Sequence, residues 1–505
     1  MKGVKTMSDK FLSGMKKQLN FTVTENGAVT HKTTGSNIID LFGCIGALRS
    51  RSESDIIKLF AKAFDEDALI ATKMLFYARD IRGGLGERRT FRIIFKWLAY
   101  KYPEIVKLNL DNVVEFGRYD DLFVLFDTPV EDDMIKFVDK QLSEDIEQQY
   151  PSLLAKWMPS ENASSQETKK FAKYFMRAFN MSPKKYRVTL TRLRKKLNVV
   201  EKLISSGEWS KVDYSKVPSK AAMQYRNAFM RHDEDRYRNF LSALSNEDKV
   251  VKINAATLFP YDIMARIIQE FSWGYSNSSR HNKPLQDLYN AQWDALPNYL
   301  GDNYDDSLCM IDTSGSMSGQ PIYSALALGI YAAQYNKGRF SNYFMTFSHT
   351  PELRELQGDD ICEIVANMDS INVASTNIEA AFDLILDTAI EENLSQEELP
   401  KRLIIITDLE FDQAKGYNCS LKKETLFETI EKKFIKAGYE MPKLVFWNVN
   451  ARNTQYPMVE QYGIQFVSGH SQAIFEAVVK GEYLSPLELV LSVLNKERYD
   501  SVVVQ

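Results

Sequence analysis

Cysteine is scarce: the 505 residues contain four, Cys44, Cys309, Cys362 and Cys419, far apart and with no CxxC pair. That spacing argues against a disulfide framework and against a thiolate zinc site, and it fits a reducing compartment in which the thiols act as small buried apolar groups. Long apolar runs are missing too. No window approaches ~18 uninterrupted apolar residues, so no membrane-spanning helix is expected. The basic start, MKGVKTMSDKFLSGMKKQL, has neither the apolar segment nor the cleavage-like site of a secretory signal. The five histidines (His31, His232, His281, His349 and His470) show no HExxH and no metal-ligand spacing. Gly315-Ser316-Met317-Ser318-Gly319 has Met317 where a nucleophile elbow needs its serine. Gly83-Gly84-Leu85-Gly86 lacks the Lys-Ser/Thr ending of a P-loop. These absences point to a cytoplasmic protein that is not an enzyme and has no membrane partner.

What is present is ordinary globular composition, 44% hydrophobic and 26% charged, in a chain too long for one core. The net charge of −4 hides an asymmetry. Residues 165–240 hold 19 Lys and Arg against 7 Asp and Glu, whereas residues 301–505 hold 16 against 30. The basic middle can bind a polyanion, or it can pair with the acidic end, and composition does not separate the two.

Two grammars divide the chain. The first 36 residues are polar and read as a flexible arm. From residue 37 to about 269, apolar residues recur at three- and four-residue spacing, as in DIIKLFAKAFDEDALIATKMLFYARDI, and short breaks separate the helices; an all-α array or solenoid is expected. Residues 271–304 are rich in Gly, Ser, Asn and Pro and read as a linker. Beyond it, the apolar runs 307–312, 341–348, 402–408, 443–449 and 463–467 alternate with helical patterns, the signature of a buried, doubly wound parallel sheet.

The sharpest local signal follows the run SLCMI. Asp312, Ser314 and Ser316 form a D-x-S-x-S turn offering one carboxylate and two hydroxyls, and Gly315 lets the backbone bend. Thr376 precedes a later helix and Asp408 ends a later strand, so both should reach the same sheet edge. Hard oxygen donors without His or thiolate suit Mg²⁺ or Mn²⁺. Glu410 and Asp412 lie next to Asp408 and should either adjust the charge of the site or cap a helix.

That constellation resembles the metal-ion-dependent adhesion site of von Willebrand factor A domains. The resemblance implies that Ser314, Ser316 and Thr376 coordinate directly or nearly so, that Asp312 and Asp408 often act through water, and that an acidic protein partner supplies the last ligand. A wider resemblance rests on Tyr77-Ala78-Arg79-Asp80-Ile81-Arg82-Gly83-Gly84-Leu85-Gly86-Glu87-Arg88-Arg89, Tyr119-Asp120-Asp121-Leu122 and Leu258-Phe259-Pro260-Tyr261. Thr407-Asp408-Leu409-Glu410-Phe411-Asp412, Phe446-Trp447-Asn448 and Ser468-Gly469-His470-Ser471 complete it. Together they resemble the Ro autoantigen family, closest to its uncharacterised conserved branch in plants, fungi and viruses. The implied fold class is multidomain. An all-α, HEAT-like TROVE-type module (37–300, with its basic segment at 165–240) is followed by an α/β doubly wound, Rossmann-like von Willebrand factor A domain (301–505). In Ro proteins the helical module binds ends of misfolded RNA in a central hole and structured small RNA on a basic outer face.

The residues themselves add a candidate RNA contact: Lys184, Lys185, Arg187, Arg192, Arg194, Lys195 and Lys196, with Tyr186, Tyr225 and Tyr237 nearby to stack bases. Arg79, Arg82, Arg88 and Arg89 around the Gly83–Gly86 turn offer two readings: a phosphate approaching the backbone N–H groups or, preferred, a tight interhelical turn with the arginines ion-paired to Asp80 and Glu87. The expected function is therefore an RNA-binding ribonucleoprotein component or RNA quality-control scaffold, with structured or misfolded RNA as partner and a magnesium site for a protein contact. The alternatives are a magnesium-dependent protein adaptor without RNA and, further off, a metal-assisted phosphodiesterase.

Overall fold

The computed structural model describes residues 15–16, 19–197, 199–244, 258–271, 283–301, 306–347, 350–368, 377–413, 425–459, 461, 463–480 and 485–505. Its contacts divide the chain into two compact units that do not follow linear boundaries. One holds Met1–Asp67, Phe259–His281 and Pro297–Leu494; the other holds Ala68–Leu258, Asn282–Leu296 and Asn495–Gln505. No helix among the described residues is long and apolar enough to cross a membrane.

The first unit contains a small hairpin and a six-stranded sheet. β1 (Phe21–Val23) pairs antiparallel with β2 (Val29–His31). The large sheet is built from β3 (Ser307–Asp312), β4 (Tyr343–Phe347), β5 (Glu352–Glu355), β6 (Arg402–Thr407), β7 (Lys443–Asn448) and β8 (Ile464–Ser468), in the order β5-β4-β3-β6-β7-β8. All its pairs are parallel except β4 with the edge strand β5. Every residue of β3 and of β6 is buried, as continuous apolar strands between helical layers must be. Burying Leu403, Ile404, Ile405 and Ile406 contributes about 2 kcal/mol each before entropy is counted. The helix Gln320–Tyr335 returns the chain from β3 to its parallel neighbour β4, the helix Ile378–Glu391 leads into β6, and both carry long buried faces. The expected α/β sheet is present, with β5 as a strand the apolar pattern did not announce.

Two expectations need correction here. Residues 19–36 are not a loose arm. His31 and Tyr456 exchange backbone hydrogen bonds of 2.9 Å, and Thr24 Oγ1 donates to the Phe411 carbonyl at 2.6 Å. Asn26-Gly27, with Gly27 at φ 91°, makes the turn, but strands of three residues leave too little alternation to stand out in the sequence. The interval 271–304 is not all linker either: Lys283–Asp294 is helical and buries Leu288, Tyr289 and Trp293.

The second unit is helical. Its helices begin where the sequence supplies caps: Ser165 accepts from Thr168 N at the start of Gln166–Ala178, and that helix buries Ala172, Phe175 and Met176 at three- and four-residue spacing. Ala68–Arg79 is buried along nearly its whole length from Ala71 onward. Gly84 permits the turn that follows, since a Cβ there would lie 2.0 Å from the Tyr77 carbonyl oxygen. Residues 495–505 complete this unit. Arg498 pairs with the buried Asp80 (Nη2 to Oδ1 2.8 Å), Tyr499 donates to the same carboxylate at 3.0 Å, and Asn109 and Asn112 donate to the Val503 and Ser501 carbonyls.

Candidate metal centre and nucleic-acid interface

In the parallel part of the sheet the strand order reverses between β3 and β6, so the crevice at their carboxyl ends is the switch point where such folds hold ligands. Asp312 is the last residue of β3 and Asp408 follows the end of β6. Asp312 is fully buried. Its Oδ1 accepts from Ser314 N at 2.9 Å and its Oδ2 from Thr407 Oγ1 at 2.6 Å. Gly315–Met317 is a single 3₁₀ turn anchored by the buried Met317, and it leaves Ser314 Oγ and Ser316 Oγ 3.0 Å apart. Burial, and then the charge of Asp408, pushes the Asp312 carboxyl up to about 7. Burial raises Asp408 as well, against a hydrogen bond from Ser316 and the opposing charge of Arg452.

The turn after Asp408 is held in an unusual shape. Leu409 adopts φ 66°, a left-handed conformation that is costly for a branched side chain. Its N–H donates to Thr407 Oγ1 at 3.0 Å and its carbonyl accepts from Gln455 Nε2 at 3.0 Å, while the side chain is buried. Three independent contacts therefore fix the backbone beside the carboxylate.

Of the expected donors, Asp312, Ser314, Ser316 and Asp408 come together; Thr376 lies outside the described residues. No group of three or more His, Cys, Asp or Glu side chains among the described residues is arranged to hold a metal ion. The set instead consists of two buried carboxylates and two hydroxyls. Such an all-oxygen donor set would suit a hard divalent cation better than a soft one.

The residues around Asp408 that sequence reasoning missed are Arg452 and Glu25. Arg452 Nη2 lies 3.1 Å from Asp408 Oδ2, and its Nη1 lies 2.8 Å from Glu25 Oε2 in the β1–β2 turn. Arg452 follows the end of β7, so the rule that singles out Asp408 would also have found it. The buried Glu410 caps no helix among the described residues: its Oε2 accepts from Glu25 N at 2.8 Å and its Oε1 from Asn453 Nδ2 at 2.8 Å, which ties the hairpin to this edge. His470 is a buried histidine. Its Nδ1 lies 2.7 Å from Ser324 Oγ, and burial followed by the charge of Arg49 holds it well below the ordinary histidine range. His349 lies outside the described residues.

In the helical unit the basic residues separate into two groups. Lys184, Lys185, Arg192 and Lys195 are exposed on the helix Pro183–Leu197 and make no ion pair with another described residue. Arg187, Arg194 and Lys196 are engaged in the fold. Arg187 pairs with Glu161. Arg194 donates to the Ala155 and Met158 carbonyls at 2.7 and 2.8 Å and to Ser160 Oγ at 3.1 Å, and Lys196 donates to the Ile146 and Gln148 carbonyls. Both thereby satisfy carbonyls left over at the ends of neighbouring helices. The tyrosines do not serve as expected. Tyr186 is buried with its hydroxyl donated to the Pro159 carbonyl at 2.8 Å, Tyr237 is buried in the core, and Tyr225 packs half-buried against that core.

Arg79, Arg82 and Arg88 at the Gly83–Gly86 turn are ion-paired, but not to the expected neighbours. Arg79 Nη2 lies 2.7 Å from Asp121 Oδ2, both groups buried, and Arg88 Nη2 lies 3.1 Å from Asp120 Oδ2. Asp80 takes Arg498 instead, and Arg82 reaches Glu115 at 3.9 Å on the surface.

Residues 24–150 and 119–303 match the domain of unknown function DUF2828, and residues 306–500 match the domain of unknown function DUF7788. The chain is 31% identical over 523 aligned residues to a protein of Acanthamoeba polyphaga mimivirus named "Uncharacterized protein L728", an alignment that covers 94% of this chain and 87% of the viral one. More than half of the residues fall in the first match and nearly the whole length is shared with the viral protein, so this chain belongs to the DUF2828 family and carries DUF7788 as its second part.

Proposed function

We propose that this protein binds RNA through its helical unit and uses the switch-point crevice of its α/β unit as a magnesium-dependent adhesion-type site for an acidic protein ligand. It would act in the cytoplasm as a ribonucleoprotein component or RNA quality-control scaffold without chemical turnover. The reading treats the two units as a TROVE-type module and a von Willebrand factor A-like domain. The observation that carries it is the set of Lys184, Lys185, Arg192 and Lys195: four exposed cations on one helix, uncompensated by any described carboxylate. Such cations gain affinity for phosphates by releasing counterions, and they read no base sequence. Mg²⁺, or Mn²⁺, when bound at Asp312, Ser314, Ser316 and Asp408 would supply a charge that an incoming carboxylate can complete.

Two titrations test this. RNA affinity measured against salt should fall steeply, and joint replacement of Lys184, Lys185, Arg192 and Lys195 by alanine should flatten the log–log slope by about 3, at roughly 0.7 per single-strand phosphate contact. Unchanged affinity and slope would reject this helix as the contact. Mg²⁺ at a hundred times its Kd should stabilise the α/β unit by about 2.7 kcal/mol, seen as a higher unfolding temperature, and Asp312→Ala should abolish the rise. A second reading, the magnesium-dependent adaptor without RNA, draws on the internal engagement of Arg187, Arg194 and Lys196. Absence of RNA binding at low salt together with an intact Mg²⁺ response would select it.

A further inference from the structure

Within the helical unit, a cavity of about 520 Å³ opens between the helix Arg88–Lys101, the turn Tyr119–Leu125 and the helix Gln166–Ala178. That size suits a small organic ligand such as a mononucleotide. Its cationic side holds Arg88, Arg92 and Lys96, with Lys170 across from them, and its apolar side holds Trp157, Phe123 and Phe171, all half-exposed. Three carboxylates also line it: Asp120, Asp127 and Glu167.

The arginines here are under-neutralised. Among the described residues, the carboxylates paired with Arg79, Arg88, Arg92 and Arg118 are Asp120 and Asp121. Asp121 accepts Arg79 at 2.7 Å and Arg92 at 2.6 Å, while Asp120 lies 3.1 Å from Arg88, 2.9 Å from Arg92 and 3.0 Å from Arg118. Four guanidiniums on two carboxylates leave two positive charges over. Burial, and then the charges of Arg92 and Arg118, hold the Arg88 guanidinium below the ordinary arginine range. Arg92 Nη2 and Arg118 Nε face Asp120 Oδ2 and Oδ1 at 2.9 and 3.0 Å in ion pairs without hydrogen-bond alignment, so one carboxylate is divided among three guanidiniums. At the rim, Lys96 is exposed and makes no ion pair with a described residue, and Lys170 reaches Asp127 only at 3.7 Å.

The aromatic side is organised. Phe171 stacks on the buried Phe126 with centroids 4.8 Å apart, and the Arg118 guanidinium lies over the Trp157 ring at 4.0 Å. Flat aromatic surface beside guanidiniums that outnumber their carboxylates is the chemistry that holds a base by stacking and its phosphate by charge-assisted hydrogen bonds.

We infer that this cavity is a nucleoside-phosphate site, with the base against Phe123, Phe171 and Trp157 and the phosphate against Arg88, Lys96 and Lys170. The ligand is either a free nucleotide or the phosphorylated end of a single-stranded RNA; only the second source rests on the RNA-binding reading above.

The test uses the full chain with AMP, phosphotyrosine, and a ten-nucleotide RNA carrying either a 5′-phosphate or a 5′-hydroxyl, read by calorimetry and by tryptophan fluorescence. AMP is expected to bind one to one with a fluorescence change lost in Trp157→Phe, and the double variant Lys96→Glu, Lys170→Glu should weaken it at least tenfold. Both lysines are exposed, and an unchanged circular dichroism melt shows that the variant is folded. The phosphorylated RNA should bind about tenfold more tightly than the hydroxyl form if RNA ends are the source, and equal affinities would assign the site to free nucleotide. No AMP binding, AMP binding indifferent to the double variant, or tighter binding of phosphotyrosine than of AMP would each overturn the site. RNA binding that persists while AMP fails leaves the basic helix as the RNA contact, whereas AMP binding without any RNA binding leaves the cavity and removes the RNA reading.

Discussion

The two units use charge in opposite ways. In the α/β unit the ionisable groups of interest, Asp312 and Asp408, are buried, close together and held by short local hydrogen bonds. In the helical unit the buried ionisable groups Arg79, Asp80 and Asp121 brace the fold, and the groups open to a ligand, such as Lys184 and Lys195, stand in water. A buried charge reports its partner through geometry. An exposed one shows only that no described partner has claimed it.

The comparison breaks first, and most strongly, at Asp121. Asp121→Ala would leave the buried Arg79 guanidinium without a carboxylate, at a cost of about 3–5 kcal/mol, the range for a broken buried pair. Chemical denaturation should show the loss, with hydrogen exchange confining it to the helical unit; a change under 1 kcal/mol would mean that these charges brace nothing.

An intermediate effect comes from His470. Its ring is neutral when folded and held well below the ordinary histidine range, so the unfolded chain alone takes up a proton as pH drops below about 6.5. The α/β unit should therefore lose up to about 1.4 kcal/mol per pH unit on acidification below that point, and His470→Gln should remove this part of the slope. Equal slopes between pH 5 and 6.5 in the two proteins would refute it.

The smallest stability effect is expected where the proposed function is concentrated. Joint alanine replacement of Lys184, Lys185, Arg192 and Lys195 should shift the unfolding free energy by no more than about 0.5 kcal/mol per site while RNA binding falls. A large loss of stability would place those lysines with Arg194 and Lys196, as parts of the frame.

What could be read in the sequence follows the same division. The D-x-S-x-S turn sits where expected because the motif carries its own geometry: a strand end, a bend and three donors within five residues. The run of cations from Lys184 to Lys196 carries none. Composition could not tell that Arg194 and Lys196 serve helix ends thirty or more residues away, nor that Tyr186 points inward. The hairpin at 21–31 is hard to read because its strands are three residues long and its partners, Phe411 and Tyr456, are about four hundred residues distant. Arg452 is different, since it lies four residues past the end of β7, on the same sheet edge that the rule about strand ends marks.

The division of the chain has a practical side. Asp80 is an early residue whose countercharge, Arg498, is translated after every strand of the sheet. A nascent helical unit must wait for that partner, and two fragments expressed by cutting near residue 300 would each lack pieces of their own fold. Circularly permuted or co-expressed segments that respect the interleaving are the form in which either half can be studied alone.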